Sequence, residues 1–330
     1  MRIAIAISTP EPERSSRLMV ATIGLDIGGT KVLGVLLADD GTVLREERLA
    51  SPHTGLDALV ATGASIVTTL AAEGAPIGVG AAGLVDRDGV LRYAPNLPNV
   101  RSAPLREALA QATGRAVVVD NDAGVATLGE VTYGAAMGRR DVLLVTLGTG
   151  IGGGFLFDGR PYRGAHNFGA EIGHFTVAAD GPLCACGERG HWESIASGTA
   201  LGRMARELVS HGGGAAIVAA AGGDVGAVTG SDVGRAAATG DPDARGLLVQ
   251  YAENVAVGLV GLANILDPEC IVIAGGLVEL GPLLFGPLRE AFGRHVEGGS
   301  YRPQVAIIPA ELGERAGAVG AAVLARTLLA

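Results

Sequence analysis

Aromatic residues are scarce, at 4% of the chain, and cysteine nearly so, with three in 330 residues. Three cysteines cannot build the disulfide framework of a small secreted domain. No Lys/Arg-rich run appears, and the formal net charge is −9. That balance argues against a nucleic-acid surface. Uninterrupted apolar runs of membrane-spanning length are missing too; the best candidate, 243–266, is broken by Arg245, Glu253 and Asn254. The amino-terminal IAIAI is short and soon followed by Pro10, Glu11 and Glu13, so it does not read as a signal peptide. A soluble cytoplasmic protein without membrane or nucleic-acid partners is expected, with residues 1–19 as a disordered leader or Met19 as the true start. Hydrophobic residues at 48% and charged residues at 18% exclude wholesale disorder.

Glycine is abundant. There are 53, with no three-residue period, so collagen is excluded. Strand-like segments at 21–28, 31–39 and 42–50 are divided by short glycine-containing turns, as two hairpins would be. Strands at 76–85, 90–94 and 116–123 alternate with helical patterns at 55–73, 103–113 and 124–135. A second cycle starts with strands at 141–150 and 152–159, a weak echo of the first pair. Residues 160–198 read as irregular. Helices at 199–210 and 243–266 flank 212–230, a stretch rich in Gly and Ala that reads as a mobile connection, with room for a short helix, and with no assigned function. The chain ends strand, helix, strand, helix at 269–276, 282–296, 304–310 and 315–329. The pattern predicts an α/β protein with mixed sheets in two lobes.

Three glycine turns each follow an apolar strand: Asp26-Ile-Gly28-Gly29-Thr30-Lys31, Gly148-Thr149-Gly150 and Gly275-Gly276. Glycine lets a backbone approach an anion and aim successive N–H groups at it. One such turn is ordinary; three together point to a nucleotide's phosphates. The string Gly148-x-Gly150-x-x-Gly153 matches the dinucleotide fingerprint, but a strand rather than a helix follows it. The Walker loop is absent.

Asn121-Asp122-Ala123 sits at the end of the apolar run AVVV. A carboxylate there can take a proton from a substrate hydroxyl that Asn121 orients, and Asp120, Asn121 or Asp122 can equally cap the next helix. His174, Cys184, Cys186 and His191 lie within 18 positions and offer the four N/S ligands of a closed structural zinc site. Glu171, His174 and Glu193 bracket this cluster; carboxylates and a second imidazole nitrogen suit the adjacent hydroxyls of a sugar. Cys270 begins an apolar strand and reads as core.

These residues carry a resemblance that spans about 22–326. DIGGTK at 26–31, GVGAAGLVD at 78–86, APNL at 94–97, NDA at 121–123 with GE at 129–130, TLGTGIGGG at 146–154, GAEIGH at 169–174, LCACGERGHWE at 183–193, and IVIAGG through ERAGAVGAA are similar to the ROK family of sugar kinases and repressors. The surroundings of APNL and HWES look most like the family's glucokinases. The resemblance implies an actin-like ATPase (ribonuclease H-like) fold of two α/β domains, 20–135 and 136–312, with helix 313–330 packed back on the first. It implies that ATP phosphorylates the 6-hydroxyl of glucose, with Asp122 as base and Gly83, Asn121, Glu171, His174 and Glu193 on the sugar. ATP with Mg2+ would lie across 28–31, 148–150 and 275–276, Asp26 near the magnesium, in a homodimer or homotetramer. Kinases for N-acetylmannosamine, N-acetylglucosamine, fructose or allose are the alternatives, and polyphosphate a second donor. A sugar-sensing repressor stands lower, because only 25 residues precede Asp26 and the chain is acidic. Two departures stand out. His191 replaces the third cysteine of the family's CxCGxxGCxE, so a Cys2His2 site is expected. Gly124 replaces the asparagine of NDAN, where altered helix capping is expected.

Overall fold

A computed structural model describes residues 21–97 and 99–329. The expected leader and the Met19 start lie outside the described residues. Alternating apolar runs place β1 (Thr22–Ile27), β2 (Lys31–Leu37) and β3 (Val43–Ala50) as an antiparallel meander. Helix α1 (Leu56–Leu70) follows, then β4 (Ile77–Ala81), the small hairpin β5 (Leu84–Val85) and β6 (Leu91–Tyr93), α2 (Leu105–Thr113), β7 (Val117–Asn121) and α3 (Asp122–Tyr133). The first sheet runs β3-β2-β1-β4-β7, with β4 and β7 parallel to β1.

The second half repeats this plan. Strands β8 (Val142–Leu147), β9 (Ile151–Phe157) and β10 (Arg160–Tyr162) form a meander. Five helices come next: α4 (Trp192–Ala196), α5 (Gly198–Ser210), α6 (Ala215–Ala220), α7 (Gly230–Ala238) and α8 (Pro242–Leu266). Strand β11 (Cys270–Ala274), helix α9 (Pro282–His295), strand β12 (Ala306–Pro309) and helix α10 (Ala316–Ala325) close the chain. The second sheet runs β10-β9-β8-β11-β12, again with its last two strands parallel to the first. The weak repeat in sequence is thus a full repeat in topology.

The region 212–230 contains the short helix its reading allowed, but it is anchored to the core and not a mobile connection. Its small residues form α6, and Ile217 and Val228 are buried in the core of the second sheet. Thr229 and Asp232 then make a capping box that starts α7. Alanine's high helix propensity and two large apolar anchors outweigh the glycines.

Helix α8 matches the helix expected at 243–266. By length and hydropathy it is long and apolar enough to cross a membrane. Here it is a core helix, burying Leu248, Tyr251, Val255 and Leu259, and the Trp192 indole donates to its Asn254 carbonyl at 3.1 Å.

Many glycines serve packing. The sequence of α10, AGAVGAAVLA, is almost all small residues. A Cβ on Gly24 or Gly78 would stand 1.8 Å from a carbonyl oxygen of α10, and one on Gly320 would stand 1.7 Å from the Val125 carbonyl of α3. Backbone therefore meets backbone where α10 lies on β1, β4 and α3.

Candidate active site

Strand ends and glycine turns from both sheets face one cleft. Three adjoining cavities of about 440, 410 and 420 Å³ occupy it. The first is lined by Gly83, Asn121, Asp122, Glu171, His174 and Glu193 among others, so the six residues suggested for the sugar share one cavity. The second holds Asp26, Lys31, Gly275 and Gly276. The third lies between Gly148-Thr149, Gly276 and the start of α7 at Thr229-Gly230-Ser231. Asp122, Ala123 and Thr146 border both the first and second cavities. Gly148 and Thr149 border the first and third, and Gly276 and Glu279 the second and third. Gly28, Gly29 and Thr30 make the β1–β2 turn and line none of the three.

Local sequence explains each placement. Strand β7 ends at Asn121, whose Oδ1 accepts the Gly124 N–H at 3.0 Å and so caps α3. The same amide donates to the Gly83 carbonyl at 3.1 Å. Asp122 is therefore the first residue of α3, at the positive end of the helix dipole. Desolvation still dominates and holds its carboxyl above the usual range, against an N–H bond from Ala123. Gly124 supplies the donor to the cap, and the helix starts two residues earlier than its pattern suggests.

Glu171 is pushed up to about 7 by burial, then by the charges of Asp122 and Glu193. Asp26 is also pushed up to about 7, by burial and by Asp122, with Lys31 opposing. Lys31 itself pairs with Glu314 at 2.8 Å. Four carboxylates thus converge from separate elements, an arrangement that favours bound cations, hydroxyl donors and protons.

The second glycine turn is held firmly. Gly198 donates to the Gly148 carbonyl at 2.7 Å, and the Thr199 hydroxyl donates to the Thr149 carbonyl at 2.7 Å. Glu193 Oε2 accepts the Ile151 N–H at 2.9 Å. A Cβ on Gly150 would sit 2.3 Å from that oxygen.

His174, Cys184, Cys186 and His191 do converge. Their ligand atoms all lie within 4.8 Å of one another. Cys186 Sγ is 3.2 Å from His191 Nδ1, and Cys184 Sγ is 3.8 Å from His174 Nδ1. Donors about 3.3–3.8 Å apart are what tetrahedral bonds of ~2.0–2.3 Å to one zinc ion require. Burial pushes the Cys184 thiol up to about 11. A cation among these four donors would favour the thiolates that burial disfavours.

Several cleft residues escaped the sequence reading. Glu279, Arg206 and the Thr229-Gly230-Ser231 turn line the third cavity. The spacing Thr229-x-x-Asp232 was the one available signal, a helix-start pattern at the end of the stretch set aside as a connection.

Two repeated sheets, with glycine turns and carboxylates facing one cleft, define the actin-like ATPase fold. The chain belongs to the ROK family, whose pattern it matches over residues 22–328. It is 39% identical over 313 residues to the glucokinase of Streptomyces coelicolor, covering 93% of this chain and 98% of that one. It is 35% identical to the glucokinase of Thermotoga maritima, covering 91% and 95%. The crystal structure of a ROK family glucokinase from Streptomyces griseus in complex with glucose and AMPPNP superimposes with a TM-score of 0.83 at 38% identity, covering 93% and 99%.

Proposed function

We propose that this chain is a glucokinase that transfers the ATP γ-phosphoryl group to the 6-hydroxyl of glucose. The observation that carries the reading is the place of Asp122, on the wall between the sugar-sized cavity and the cavity of Asp26 and Lys31. A base at that wall touches the acceptor hydroxyl on one side and faces the donor phosphate on the other. Asp122 accepts the 6-hydroxyl proton as the oxygen attacks the γ-phosphorus. Asn121 and Gly83 form the floor below the sugar, while Glu171, His174 Nε2 and Glu193 take its other hydroxyls. Most of the rate then comes from alignment and charge stabilisation.

The nucleotide phosphates lie along Lys31, Gly148-Thr149-Gly150 and Gly275-Gly276, with the Gly28-Gly29-Thr30 turn supporting Lys31 from behind. Adenosine lies in the third cavity, toward Arg206 and Thr229. Mg2+ belongs beside Asp26, whose desolvated carboxylate fits a cation that neutralises phosphate charge. Zn2+ on His174, Cys184, Cys186 and His191 is structural, since four protein donors leave no open position. Its Nδ1 bond to His174 would leave Nε2 for the sugar.

The domains divide at 135/136, with 313–330 joined to the first. Val249, Val257 and Ile265, spaced by eight residues on α8, are 49%, 51% and 78% exposed. Exposed apolar side chains spread along this helix support a homodimer or homotetramer. A cytoplasmic location suits an enzyme that uses ATP.

The test is a coupled screen of purified protein over hexoses and phosphoryl donors. Glucose with ATP should give the highest specificity constant. A clearly higher value for N-acetylmannosamine, N-acetylglucosamine, fructose, allose or polyphosphate would overturn the assignment.

A further inference from the structure

Asp120 lies two residues before Asp122 and takes no part in lining the sugar cavity. It is 4% exposed, and its carboxylate is met from the other sheet's side of the cleft. Its Oδ2 accepts the Nε–H of Arg163 in an ion pair. Its Oδ1 accepts from the Asn167 side-chain amide at 3.0 Å and from the Asn121 N–H at 2.9 Å. The Asn167 amide also donates to the Val85 carbonyl at 3.1 Å. Arg163 and Asn167 belong to the loop after β10 that leads to Glu171.

The connected residues all sit just behind sugar-cavity residues. Val85 is two residues from Gly83, Asp120 two from Asp122, and Asn167 four from Glu171. Between Asn167 and Glu171 the backbone has little slack. Asn167 and Ala170 hold left-handed φ values of 70° and 71°, and the Gly169 N–H closes the loop on the Arg163 carbonyl at 3.0 Å. A shift at Asn167 therefore passes to Glu171.

There is also a reason for a tie at this place. Glu171 and Asp122 approach from different sheets with the same charge, as the effect of Asp122 on Glu171 shows. When both are ionised, the like charges push the two sides of the sugar cavity apart. The Asp120–Arg163 pair is the opposite-sign contact across the same gap. Its carboxylate end is buried, so its bonds are hard to exchange for water.

We propose that Asp120, with Arg163 and Asn167, is a positioning group that sets the Glu171-to-Asp122 spacing and thereby the enzyme's affinity for its sugar. This rests on the assignment of the first cavity to the hexose. The contact reaches the sugar cavity chiefly through Asn167 and Glu171, and none of Asp120, Arg163 and Asn167 lines the two nucleotide cavities.

The experiment compares Asp120→Asn, Arg163→Met, Asn167→Ala and the Asp120→Asn/Arg163→Met double variant in the full chain. Glucose KM, ATP KM and kcat are measured, with glucose Kd from the fluorescence of Trp192, the chain's single tryptophan, next to Glu193. Glucose KM and Kd should rise about tenfold in Asp120→Asn and Arg163→Met, as for other broken charge pairs, with ATP KM within about twofold. The double variant should be no worse than the worse single one, because both remove one contact. Unchanged glucose Kd, equal rises in both KM values, or additive effects would overturn the proposal. Arg163 and Asn167 sit on an accessible loop, so they decide the matter even where Asp120→Asn does not fold. A wild type that prefers another hexose refutes the glucose assignment alone, and the same ratios are then read with that hexose.

Discussion

Glu130 Oε1 accepts the Leu312 N–H at 2.9 Å, across 182 residues of chain. Its Oε2 accepts the N–H groups of Ala135 at 2.8 Å and Glu311 at 3.1 Å. The backbone passes between the two sheets after α3 and again before α10, and this one buried carboxylate holds both passages. Glu130→Gln keeps the shape but turns one acceptor oxygen into a donor facing an N–H. The expected loss is about 1–3 kcal/mol of stability, read as a lower denaturant midpoint. An unchanged midpoint would show that the two passages are held by other contacts.

Asp122→Asn should lower kcat by about 10²–10⁴-fold with glucose Kd changed far less, the usual share of a general base. Retention of more than a tenth of wild-type turnover would rule out that role. Because burial holds the Asp122 carboxyl above the ordinary range, the acid limb of the pH–kcat/KM profile should lie above ordinary carboxylate values. Activity falls as pH drops through that limb, since the base works deprotonated.

Glu171 should cost stability at neutral pH. Its folded value of about 7 exceeds its ordinary 4.5, so the folded state holds a proton that the unfolded state has released. This contribution is fully present below pH 4.5 and is lost as pH rises through about 7. Glu171→Gln should therefore raise the apo melting temperature at pH 8 by a few degrees while weakening glucose binding. A lower melting temperature at pH 8 would contradict the electrostatic account.

Elemental analysis should find one zinc per chain. Its removal by a strong chelator should lower melting temperature and glucose affinity together, because His174 serves the cluster and the sugar cavity. Cys184→Ala should do the same without chelator. Full folding and binding with no zinc would remove the metal from the account.

Gly78→Ala tests the seat of α10. The added Cβ would stand 1.8 Å from the Ala321 carbonyl oxygen, so helix or strand must move. A loss of about 1–3 kcal/mol is expected from such overpacking, measured by chemical denaturation. Wild-type stability would mean that α10 shifts freely on the sheet.

Local order made much of this protein legible. Strands flanked by glycine turns, the Asn121-Asp122 strand end and the spacing of His174, Cys184, Cys186 and His191 depend on neighbours a few residues away, and periodicity and spacing report such neighbours. Glycine abundance had two causes that composition alone could not separate. Some glycines shape the turns of the cleft, and others, such as Gly24, Gly78 and Gly320, let backbones touch.

What only the tertiary structure decided concerns groups paired across long stretches of chain. Asp120 with Arg163 and Asn167, Glu130 with Leu312, and the start of α7 beside Gly148 and Gly276 join segments that no local pattern connects. The fate of 212–230 belongs here as well. Its composition reads as a linker with a short helix, and only burial of Ile217 and Val228 against the second sheet anchors it and brings Thr229 to the cleft. Burial and charge pairing depend on which surfaces meet, and that is settled by how the two sheets and their helices close on one another.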